Sequence, residues 1–128
     1  MSDIFFVSEE HKARFIGSLA QIGKIDNGTP DTEYAAALYI LTSDLFIWNE
    51  VSRYVSRDGI SIKGMLKKVH LSSGEAVLVK LAGNLFNGNE HLDPLEFIRL
   101  DEVNFTIALT SLKLRREGWH LSQALLPL

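Results

Sequence analysis

Gly83 to Phe97 reads GNLFNGNEHLDPLEF, which sets one His, two Glu, one Asp and three Asn between two apolar runs. Residues of these types could hold a metal ion or form a small catalytic cluster. The spacing supports neither in a simple form. The four histidines, His11, His70, His91 and His120, include no pair at the i, i+4 spacing of a helical zinc motif. A metal site would need His91 and Asp93 to meet His11 from far along the chain. As a calcium loop, with Gly88 sixth, the stretch puts Leu85 third and Pro94 twelfth, where acidic ligands belong. Gly83 and Gly88 fall within and after a helix, the wrong end for cradling phosphate. Ser111 and Ser122 lack the flanking glycines of a nucleophile elbow. With no cysteine anywhere, thiol catalysis, zinc ribbons and iron–sulfur sites are excluded. No metal and no cofactor are expected.

What survives is a polar stripe. Lys80, Asn84 and Asn87 share one helical face at i, i+4 and i+7. That face could meet the loop at His91 and the next helix start at Asp101 and Asn104. Asn84, Asn87, His91, Asp101 and Asn104 are therefore the candidate ligand-binding residues. The paired carboxylates Glu9-Glu10, Glu90 with Asp93, and Asp101-Glu102 all sit at expected helix starts. There the dipole stabilises an acid by about 0.3–1 kcal/mol without any catalytic role.

Helical periodicity dominates the elements that must position these residues. Ser8 precedes a helix with Glu9 and Glu10 in its first turn and Phe15, Ile16, Leu19 and Ile22 inside, stopped near Gly23. His11 is expected on its surface. Residues 24–30 read as a loop, and Thr29-Pro30 as the cap and first position of the next helix. YAAALYIL in that helix is apolar nearly all round, the mark of a buried helix. Ser43 or Asp44 starts a third, with Leu45, Trp48, Val51 and Val55 on one face. Residues 56–70 are irregular, with a short helix over 61–68 or a small hairpin within 58–70. Ser72 and Glu75 fit a capping box. Ala76 and Gly83 form a small-residue seam for close helix approach. Asp93-Pro94 opens a short helix. Asp101 caps the last long one, whose main face is Phe105, Ala108, Leu109 and Leu112, with Val103, Ile107 and Leu114 as a second; two apolar faces place it centrally. No internal repeat is evident. The expectation is one all-α domain over 1–128, a compact bundle of five or six helices.

At 128 residues and 46% hydrophobic, the chain can build a core without metal or disulfide help. The net charge of −3 and the acidic DEVN helix start argue against nucleic acid. The basic runs at 65–70 and 112–120 fit helix C-termini. No apolar run approaches the ~20 residues of a membrane span, and a cytoplasmic protein is expected. The tail over 119–128, WHLSQALLPL, is too apolar to stay solvated. It packs on the domain or on a partner, which makes Trp119, Leu121, Leu125 and Leu126 the candidate interaction residues.

HLSSGEAVLVKLAGNLFNG, then DP, then LDEVNFTIALTSLKLR, resembles a family of small uncharacterised bacterial and phage-associated proteins, a domain of unknown function. The resemblance is strongest over 70–116, extends to SEEHKARF and AALYILTSD, and stops at Gly118. It implies one soluble domain and brings no activity, cofactor or catalytic residue. The sequence thus points to a non-catalytic helical interaction module that binds itself or another protein. The alternatives are an enzyme or small-ligand binder with a polar site near Asn84, His91 and Asn104, and a weak nucleic-acid binder.

Overall fold

The computed structural model describes residues 4–125. The domain is largely helical. The described residues form seven α-helices: α1 (Glu9–Gln21), α2 (Thr32–Leu41), α3 (Leu45–Val51), α4 (Ile62–Lys68), α5 (Ser73–Asn87), α6 (Pro94–Ile98) and α7 (Glu102–Glu117). This exceeds the expected five or six because α3, α4 and α6 are each only one or two turns long. Short 3-10 turns cover Ser52–Tyr54 and Leu121–Leu125.

Two small antiparallel hairpins interrupt the helices, so the all-α expectation holds only broadly. In the first, β1 (Ile25–Asp26) pairs with β2 (Thr29–Pro30). Asn27 and Gly28 take φ of 52° and 79°, the left-handed pair of a type I′ hairpin turn. Thr29-Pro30 therefore does not open α2. Pro30 sits in a strand, and Asp31 caps the helix by accepting from Glu33 N and Tyr34 N. In the second, β3 (Val55–Ser56) pairs with β4 (Gly59–Ile60) around Arg57-Asp58. The expected hairpin thus begins ahead of residue 58 and enters the 58–70 range only with its second strand, and the helix expected over 61–68 is α4.

The two hairpins repeat the same strand pairing thirty residues apart, with different turns between the strands. Ile25 pairs with Pro30 as Val55 pairs with Ile60. Asp31 N donates to Lys24 O and Ser61 N to Tyr54 O, each at 2.9 Å. Asp31 and Ser61 then cap the helix that follows. Residues 24–31 and 54–61 share not one identical residue in this alignment, which hides the repeat from sequence inspection.

The core is built around α2, buried from Tyr34 to Leu41. It packs against α1, α3, α5 and α7. Two arginines tie helix ends to neighbours. Arg14 Nε on α1 donates to Thr42 O at the end of α2, and Arg115 Nε on α7 donates to Leu85 O near the end of α5, both at 2.8 Å. Each satisfies a carbonyl that its own helix leaves unpaired. Tyr34 Oη donates to Ser56 O and Arg57 O, fastening α2 to the second hairpin.

Helix α7 corrects the expected arrangement. Its Ile107 and Leu114 are buried with Thr110 and Ser111, while Leu109 and Leu112 on the face taken as principal stay 51% and 40% exposed. The helix lies on α2 with one side and faces solvent with the other. Of the small-residue seam, Gly83 does the expected work. A Cβ there would come within 2.9 Å of Ile62 on α4 and 2.7 Å of Glu90 Cγ. Gly83→Ala should lower stability by about 1–2 kcal/mol, overpacking outweighing the gain in helix propensity. Urea denaturation measures it; an unchanged or raised midpoint would mean that α4 and α5 are not in contact there.

Candidate functional site

The five polar candidates lie along the C-terminal part of α5, the loop after it and the start of α7. Most are engaged locally. Asn84 Nδ2 donates to Glu90 O at 2.8 Å, folding the loop back onto its helix. Asn87 Oδ1 accepts from Asn89 N, supporting the turn at Gly88, whose φ of 77° is the left-handed stop after α5. Asp101 Oδ1 accepts from Asn104 N as the cap of α7, and Asn104 Nδ2 donates to the other oxygen at 3.3 Å. His91 is exposed.

Asn87 and Asn104 border different hollows. Asn87 borders an open hollow of about 250 Å³ between the second hairpin and α5, with Ser61, Lys63, Asn89 and Glu90. Asn104 borders another, about 120 Å³, beside Ser43, Asp44 and Glu75. Lys80 belongs to a third and larger one, about 450 Å³, against α6, with Glu96 and Arg99. Among the described residues no three His, Asp or Glu side chains gather as a metal site.

The unusual polar group is one that the sequence placed wrongly. His11, expected on the surface of α1, is fully buried. Its Nδ1 accepts from Val7 N at 3.1 Å, and its Nε2 lies 2.8 Å from Tyr39 O on α2. These partners set the neutral tautomer with the proton on Nε2. Burial, opposed by the Tyr39 carbonyl and assisted by the Arg14 charge, brings its pKa down to about 4. The neutral ring therefore serves as a clasp between the segment before α1 and α2. Both nitrogens being engaged, it cannot meet His91 and Asp93 as a ligand. The clue in the sequence was Phe5-Phe6 before Ser8: an apolar residue ahead of an N-cap folds back over the first turn.

Around His11 the rings of Phe6, Phe15, Tyr39 and Trp119 form one cluster, with centroids 4.8–6.1 Å apart. Tyr39 Oη donates to Phe5 O, and burial raises its pKa. Trp119 is 3% exposed and packs on its own domain. Leu121 is half-buried against the same core, and its N–H donates to Gly28 O at 2.7 Å on the first hairpin. The Leu125 side chain and all of Leu126 lie outside the described residues.

Several large apolar side chains are also exposed. Phe46 on α3 is 80% and Ile98 on α6 70% accessible, joined by Leu95, Val103, Leu109 and Leu112.

A family model matches residues 1–107. The chain belongs to the family of unknown function DUF6075. The match runs from the segment before α1 into the first turns of α7, so Leu109, Leu112 and Trp119 lie beyond it. It bears out the expected membership of a domain of unknown function. No curated protein and no solved structure matches the chain. Among the described residues no helix is long and apolar enough to cross a membrane.

The pH dependence follows from His11. Its folded pKa lies below the unfolded value of about 6.5, so its contribution is full above pH 6.5 and is lost as pH falls toward 4. The loss should reach about 3 kcal/mol by pH 4. Urea denaturation from pH 7.5 to 4 measures the slope. His11→Gln should flatten it between about pH 6.5 and 5, above the carboxylate range; an equal slope in both proteins would place the ring in water.

Proposed function

We propose that the protein is a non-catalytic helical interaction module that binds protein through exposed apolar side chains. The observation that carries this reading is the contrast between its two kinds of candidate. Asn84, Asn87 and Asp101 are occupied by nearby backbone groups and Asn104 by the Asp101 carboxylate, whereas Phe46, Leu95, Ile98, Leu109 and Leu112 have large accessible surfaces. Scattered exposed apolar residues are ordinary, but several large ones at over half exposure on one small domain favour a binding surface. Trp119 and Leu121 contribute on this reading by completing the domain. The proposed setting is a reducing bacterial cytoplasm, including that of a phage-infected cell; it rests on the absence of cysteine and on the sequence resemblance.

A small-ligand site is the second reading. It is favoured by the hollow of about 450 Å³ where Lys80, Glu96 and Arg99 bring both charges to one opening. Its volume suits a small molecule.

The two readings part under one pair of measurements. Tagged protein should retain a partner protein from cells that make it. The variant with Phe46→Ser, Ile98→Ser and Leu109→Ser should lose that partner while its thermal midpoint stays within a few degrees. Equal retention by both proteins would overturn the apolar-surface reading. Saturable binding of a metabolite, abolished by Lys80→Ala and Arg99→Ala, would move the function to the α5–α6 hollow.

A further inference from the structure

The solvent side of α7 carries a pattern that fits one partner. Glu102, Phe105, Leu109, Leu112 and Arg116 follow one another at spacings of three, four, three and four residues. That is the seam spacing of two helices packed along their length. Glu102, Leu109, Leu112 and Arg116 are exposed and Phe105 is half-buried, so the seam stands free of the domain's own core. Ile107, Ser111 and Leu114, on the opposite side, hold the helix to the domain.

The seam is also its own complement. It is apolar in the middle, acidic at its first position and basic at its last. Turned end for end about Leu109, it places Glu102 against Arg116 and Leu109 against itself, with Phe105 within one residue of Leu112. Neither the Glu102 carboxylate nor the Arg116 guanidinium has an ion-pair partner among the described residues. A parallel pairing would instead set Glu102 on Glu102 and Arg116 on Arg116.

We propose that a second copy of this chain covers the outer face of α7, in an antiparallel two-fold pair centred on Leu109. The proposal rests on the interaction-module reading and names its partner. The contact is isologous: every residue that one protomer offers is met by the same seam on the other. Its length is that of one 16-residue helix, roughly 24 Å at 1.5 Å per residue. An interface of that size belongs to the small class, and the dimer is correspondingly weak and concentration-dependent. The oligomeric role therefore moves from Trp119 and Leu121, which are packed on their own core, to Leu109 and Leu112.

Sedimentation equilibrium of the full chain tests this over concentrations reaching well into the micromolar range. The weight-average mass should rise from 14.3 kDa toward twice that value. Leu109→Glu puts two carboxylates on the two-fold axis and should hold the protein at the monomer mass, with its thermal midpoint unchanged because the side chain is exposed. Glu102→Arg alone and Arg116→Glu alone should each lower the dimer fraction. The double variant E102R/R116E should restore it, since opposite charges face each other again. A wild-type protein that stays monomeric throughout would overturn the proposal. A dimer that persists in Leu109→Glu, or single charge reversals that the double variant does not rescue, would overturn it as well by placing the contact elsewhere. None of these results depends on the retained partner that decides the interaction reading, so the two can fail separately.

Discussion

The fold depends on the burial of α2. From Tyr34 to Leu41 every residue of that helix is buried, including three consecutive alanines that bring its neighbours close. A helix that is apolar all round has no face it can give to water, so other elements must enclose it. Helices α1, α3, α5 and α7 do this. The ends of α2 remain polar, and each is handled by a specific device. Asp31 caps the first turn, while Thr42 Oγ1 donates to Leu38 O and Arg14 reaches Thr42 O at the last.

That enclosure explains why the segments before α1 and after α7 come together. Phe6 before α1 and Trp119 after α7 meet over Phe15 and Tyr39 and close the remaining side of the core. His11 makes the closure polar as well as apolar by joining Val7 to Tyr39 through a neutral ring. A buried imidazole with both nitrogens satisfied is stable only while it stays neutral. The same feature that fixes the geometry therefore ties this part of the fold to the neutral form of the ring.

Much of the chain is organised by short-range devices that the sequence states openly. The capping box at Ser72 and Glu75, the Asp93-Pro94 start, the Asp101 cap and the stops at Gly88 and Gly118 all stand where their residue types place them. Each involves groups within a few residues of one another, so no tertiary information is needed to recognise it. The loop that first suggested a site is largely made of such devices. Asn84, Asn87 and Asp93 are held there by Glu90 O, Asn89 N and Leu95 N respectively.

The sequence by itself therefore determined where most helices begin and end, that α2 is interior, and that the chain resembles a family without an assigned activity. It could not determine which of two apolar faces on α7 turns inward. Phe105, Leu109 and Leu112 are as apolar as Ile107 and Leu114, and the choice rests on which face meets α2. Nor could it place His11, because burial there comes from Phe6 and Tyr39, which approach from outside the helix. The hairpin repeat was hidden for a related reason. Its likeness lies in backbone pairing, for which Ile25 and Val55, or Asp31 and Ser61, are physically equivalent without being the same residue. Periodicity reports that a face is apolar; only packing decides whether the domain covers it or leaves it for another molecule.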